Sequence, residues 1–111
     1  MKIYYGTNTG PGPQLIWVLP ELNAKPYRLR HFVQHSPDGF SWGYSGSGCA
    51  EAARCILIDC IGAGKVTPAL YQAFKRAFIA PAGAELHIPE AAIQEWVANQ
   101  TKGGSNEKSY S

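Results

Sequence analysis

Apolar and polar positions along this 111-residue chain follow two rhythms, and the change between them falls at the small-residue run Ser45-Gly46-Ser47-Gly48. Before the run the rhythm is two. Lys2-Ile3-Tyr4-Tyr5-Gly6 reads as a short strand closed by the turn-rich TNTGPGP, and Gln14 to Pro20 as a second one. Pro20 and Pro26 beside the second run suit sheet edges, so both strands are expected there. From Tyr27 to His35, one face carries Tyr27, Leu29, His31, Val33 and His35 and the other Arg28, Arg30, Phe32 and Gln34. Ser36-Pro37-Asp38-Gly39 is a turn sequence, and Phe40, Trp42 and Tyr44 then alternate with Ser41 and Gly43. The spacing predicts a hairpin of residues 27–35 with residues 40–44.

After the run the rhythm becomes helical. Ala50, Ala53, Leu57 and Cys60 or Ile61 recur every three or four residues, with Glu51, Arg54 and Asp59 to one side. Ser47 or Gly48 is the expected cap, and Gly62 and Gly64 the stop. Thr67-Pro68 opens a second helix as cap and first-turn proline, with Leu70, Tyr71, Phe74, Ala77 and Phe78 on its apolar face up to Pro81. A short extended piece is expected at Leu86 to Ile88, then a third helix opened by Pro89 and buried through Ile93, Trp96 and Val97. These elements predict a single α+β domain over residues 1–100. Its small antiparallel sheet has three to four strands, packed on one face by two to three helices. Residues 101–111 hold almost no apolar surface and are expected to form a flexible tail.

Composition narrows the class. With 45% hydrophobic and 16% charged residues the chain can bury a core of its own. A net charge of +2 is far from the strongly basic balance of a DNA-coating protein, so a polyanionic partner would need a local patch. Three cysteines at spacings of six and five suit neither a disulfide framework nor a zinc knuckle, and reduced thiols are expected. No run is apolar enough to cross a membrane, and a soluble, cytoplasmic protein is expected.

Enzyme fingerprints fail one by one. Gly46-Ser47-Gly48 lacks the third glycine of a dinucleotide loop, and Gly62-Ala63-Gly64-Lys65 lacks both the first glycine and the closing hydroxyl residue of a phosphate loop. Gly43-Tyr44-Ser45-Gly46-Ser47 has serine where glycine closes a nucleophile elbow. Cys49, in a helix's first turn, could be activated as a thiolate with His31, His35 or His87 as base, but a small buried thiol is the better reading. His31 and His35, four apart on a strand, are roughly 13 Å from each other, too far to share a metal. His31 reads as a partly buried, hydrogen-bonding member of the sheet. No catalytic residue, cofactor or metal site is assigned.

Two binding features remain. Ser45, Ser47 and Gly48, ahead of a helix, could offer amides to an anion. Arg28 and Arg30, with Trp42 and Tyr44 on the neighbouring strand, could hold phosphates and stack bases. The competing reading puts Phe40, Trp42 and Tyr44 in the core and leaves the arginines solvated on an open sheet face. His35 and Asp38, in the turn between the two strands, complete the candidate set.

His35-Ser36-Pro37-Asp38-Gly39-Phe40, followed by Trp42-Gly43-Tyr44 and Gly46-Ser47-Gly48, resembles a family of short uncharacterised proteins of bacteria and bacteriophages. In that family H-S-P-D-G-F-x-W-G-Y-G-G-S-G-P-A leads into an apolar helix, and the likeness covers roughly residues 27–98. Ser45 and Cys49 stand where the family has glycine and proline. A proline at that place cannot be a nucleophile. The resemblance implies a phage or mobile-element accessory protein in the cytoplasm of a bacterial host. We therefore expect a non-enzymatic protein that binds a host protein stoichiometrically, such as a defence component. A nucleic-acid or small-nucleotide binder is the alternative, and a cysteine-dependent enzyme ranks last.

Overall fold

The computed structural model describes residues 1–8, 10, 13–34, 39–43 and 46–106, with side chains through residue 100. Four strands, β1 (Ile3–Thr7), β2 (Trp17–Leu19), β3 (Tyr27–Arg28) and β4 (Glu85–Pro89), form one antiparallel sheet in the order β3-β2-β1-β4. Three helices accompany it, α1 (Ser47–Ile61), α2 (Pro68–Phe74) and α3 (Glu90–Asn106). The fold is the expected small α+β domain.

Helix starts and stops follow local chemistry. Thr67 caps α2 by accepting the Leu70 N–H at 3.2 Å, with Pro68 at the first helical position. Beyond α2 the chain widens into a π-type turn, Lys75–Ile79, in which the Ala80 N–H reaches the Lys75 carbonyl at 2.8 Å. Gly62 ends α1 at φ 91°, a conformation that favours glycine. The N-cap of α1 is Gly46, with no side-chain bond, in place of the expected Ser47 or Gly48.

Two expectations are corrected. β1 and β2 are interior strands, because β4 and β3 pair with their outer sides in registers centred on Tyr5↔His87 and Trp17↔Arg28. Among the described residues, 27–34 and 40–43 do not pair as the expected hairpin. β3 is two residues long and pairs with β2, while Phe40 bridges to Gln14 through the Gln14 N–H at 2.8 Å. The reason lies in α1, which takes the backbone groups that a hairpin would need. The Phe32 carbonyl accepts from Arg54 at 2.6 Å, the Phe32 N–H approaches Cys55 Sγ at 3.4 Å, and the Gln34 N–H donates to Glu51 at 2.8 Å. The turn residues 35–38 of that hairpin lie outside the described residues.

The core sits between one sheet face and the helices. Tyr4, Val18, Leu86 and Ile88 from the strands meet Ala53, Ile56 and Leu57 of α1, with Phe74, Ile79 and Ile93 behind them, all at most 3% exposed. Burying such a side chain contributes roughly 1.5–3 kcal/mol. Gly6 is fixed by crowding. A Cβ there would lie 2.7 Å from the Leu15 carbonyl oxygen and 2.8 Å from the Trp42 indole.

Candidate binding surface

Period-two geometry sends the other half of each strand away from the helices. Tyr4 and Gly6 point inward, so Ile3, Tyr5 and Thr7 face outward. Trp17 and Leu19 do the same on either side of Val18. The register then sets Arg28, Trp17, Tyr5 and His87 side by side in one row across all four strands. Leu19, Ile3 and Pro89 form the next row, and Thr7 and Glu85 a third, joined by a Thr7 Oγ1 to Glu85 hydrogen bond of 3.2 Å. Arg28 and His87 are exposed, Trp17 and Tyr5 half-buried. A groove of about 530 Å³ lies on this face, between Tyr5, Thr7 and Trp17 and the segment Pro13 to Leu15.

Asp59 of α1 helps to aim the row. It accepts from Tyr27 Oη at 2.8 Å, Tyr4 Oη at 2.5 Å and Lys2 Nζ at 2.9 Å, which holds Tyr27 toward the helix and so leaves Arg28 on the outward side. Burial is the largest single influence on the Asp59 carboxyl and pushes it up. The hydrogen bonds from Tyr4, Lys2 and Tyr27, with the Lys2 charge, outweigh burial and hold it below its ordinary 3.8. Desolvation, reinforced by the bond to Asp59, raises the Tyr4 phenol.

At the other end of α1, Glu51 is 0% exposed. Its Oε2 lies 2.6 Å from His31 Nε2 and also accepts the Gln34 N–H, so the ring nitrogen is the donor. A buried carboxylate needs such partners. His31 packs against Phe40 at 5.0 Å between ring centroids and lines a second cleft of about 240 Å³ with Arg28, Leu29 and Gly39. The stretch Pro13 to Leu15 borders both clefts.

A family model described as a family of unknown function, DUF6166, matches residues 4–99. The chain belongs to that family. The match takes in nearly all of β1, the other three strands, α1 and α2, so the sheet face apart from Ile3, the Glu51 pairing and both clefts fall within the DUF6166 domain. No curated protein and no solved structure matches the chain significantly.

Of the residues singled out by sequence, the DUF6166 fold brings few together. Arg28 and Arg30 are both exposed, with Arg30 Cζ 5.5 Å from the centroid of the Phe32 ring. Trp42 is 2% exposed, its indole N–H directed at the Ala84 carbonyl at 3.4 Å, so it belongs to the core and stacks no base. Gly48 is buried against Ser41, where a Cβ would overlap Ser41 Oγ. The close fit accounts for that glycine without an anion. Ser47 is exposed at the start of α1. His35, Asp38, Tyr44 and Ser45 lie outside the described residues. Cys49 is 0% exposed, with its Sγ 3.9 Å from Ser41 Oγ. All three cysteines are free, and no described helix is long and apolar enough to cross a membrane.

Sequence reasoning missed Tyr5, Trp17 and His87 as surface residues. The alternation that exposes Tyr5 and Trp17 is visible in IYYGT and IWVL, but the register that aligns them with Arg28 and His87 is not. Glu51 was missed as a buried group because its helical position resembles a polar flank.

Proposed function

We propose that this protein is a non-enzymatic binding protein that engages its partner through the uncovered face of the sheet. The observation that carries this reading is the in-register row Arg28–Trp17–Tyr5–His87, backed by the apolar row Leu19–Ile3–Pro89. Trp, Tyr and Arg are the residue types that dominate interface energies, and an apolar centre rimmed by Arg28, His87, Glu85 and Thr7 has the anatomy of a protein–protein contact. The resemblance to proteins of bacteria and phages supports an accessory protein of a phage or mobile element, acting in the host cytoplasm by stoichiometric contact with a host protein, such as a defence component. The test is affinity capture from bacterial lysate with wild type, Trp17→Ser and the distal surface variant Lys65→Ala. A partner held by wild type and Lys65→Ala and lost by Trp17→Ser supports the reading. A partner retained by Trp17→Ser removes the sheet face from it.

A nucleic-acid reading draws on the same row, since aromatics flanked by cations on an open sheet can stack bases and hold phosphates. With Trp42 and Gly48 packed inside, the sheet face replaces the helix start as its location. Gel shift of a single-stranded oligonucleotide at two salt concentrations separates the readings, because phosphate contacts weaken steeply with salt.

A further inference from the structure

The cleft beside His31 is built differently from the sheet face, with which it shares Arg28. Leu29, Ile16 and Phe40, each at most 5% exposed, give it apolar walls. The polar residues Arg28 and His31 line it. Among the described residues the Arg28 guanidinium makes no hydrogen bond or ion pair. His31 has its Nε2–H committed to Glu51, so in the neutral ring Nδ1 is the acceptor left for a ligand. The orientation is set from behind, because Glu51 is fully buried and is held in turn by the Gln34 N–H. A carboxylate that fixes one imidazole nitrogen leaves the other aimed and in a defined tautomer. A pocket of about 240 Å³ is smaller than those that enclose drug-sized ligands and suits a single ring.

We infer that this cleft binds a small ring-bearing anion. Its carboxylate or phosphate pairs with Arg28, its ring lies among Phe40, Leu29 and Ile16, and an N–H or O–H on the ring donates to His31 Nδ1. A planar guanidinium accepts either oxyanion in bidentate fashion, so the anionic group is the shared chemistry.

Two probes separate the sources, 4-hydroxybenzoate for a carboxylate on a hydroxylated ring and 4-hydroxyphenyl phosphate for a phosphate on such a ring. Each is titrated to millimolar concentration into 15N-labelled protein, following the Leu29, His31 and Phe40 amides and the His31 ring nitrogens. The expected result is saturable movement of these signals with at least one probe, weakened about ten-fold or more in Arg28→Gln and less in Arg28→Lys. Arg28 is exposed, so these variants keep the fold, whereas His31→Gln disturbs the Glu51 pairing. Movement with one probe alone assigns the carboxylate or the phosphate, and movement with both supports the shared anion chemistry. No movement with either probe, or equal affinity in Arg28→Gln, overturns the inference.

Discussion

Replacing Glu51 by alanine tests whether the buried carboxylate organises the chain between β3 and α1. The substitution strands the His31 Nε2–H and the Gln34 N–H, which meet on one carboxylate oxygen at 2.6 and 2.8 Å. Each orphaned donor costs about 1–3 kcal/mol, so the two together cost about 2–6 kcal/mol. The His31 side chain is 24% exposed and can regain some water, which places the expected loss near the lower end, about 3 kcal/mol. Against a total stability of about 5–15 kcal/mol this is a large fraction. The assay is urea unfolding followed by tryptophan fluorescence, with His31→Phe and the double variant completing a cycle. The double variant is expected to lose less than the sum of the singles by about 1–2 kcal/mol. A loss below about 1 kcal/mol for Glu51→Ala, or additive singles, refutes the reasoning.

Three further outcomes follow from particular contacts. Gly6→Ala drives a Cβ onto the Leu15 carbonyl and the buried Trp42 ring, and is expected to lower the urea-unfolding free energy by about 1–3 kcal/mol. The Asp59 carboxyl lies lower in the folded chain than its ordinary 3.8, so on acidification the unfolded chain takes up the proton first. Its stabilising contribution is therefore complete above that value and lost as pH falls through the lower folded one. Asp59→Asn should flatten the acid limb of a stability–pH profile, and an unchanged limb contradicts the assignment. Burial, then the Glu90 and Asp59 carboxylates, push the Cys60 thiol from 9.0 up to about 11. At pH 9 its thiolate fraction falls from about one half to about one hundredth, so alkylation by iodoacetamide should be about fifty-fold slower in the folded protein than in urea. Equal rates in the two states would contradict this.

The fold class, the three helices and their main apolar positions were legible because each rests on local chemistry. Thr67-Pro68 caps α2, Gly62 stops α1, and Ala53, Leu57 and Ile93 repeat at helical spacing. The hairpin expectation failed on a long-range competition. Tyr27 to Gln34 alternates well, but Glu51, Arg54 and Cys55 of α1 take its backbone groups, and no local pattern reveals that contest. The edge assignment failed similarly, since β4 arrives from 78 or more residues away to make β1 interior. At the candidate site, Arg28 and the idea of an open sheet face were readable from sequence. The row that joins Arg28 to Trp17, Tyr5 and His87 depends on pairing register, which a small shift would rearrange.

The helices cover one face of the sheet, and the described residues leave the other face uncovered. Paramagnetic relaxation by a soluble gadolinium chelate, read residue by residue from side-chain methyl, aromatic and indole N–H signals, probes this directly. Side-chain signals of Trp17, Tyr5, Leu19 and His87 should relax strongly, while those of Trp42, Tyr4, Val18 and Ile88 stay protected. Protection of Trp17 and Tyr5 equal to that of Trp42 would show the face covered and contradict the account.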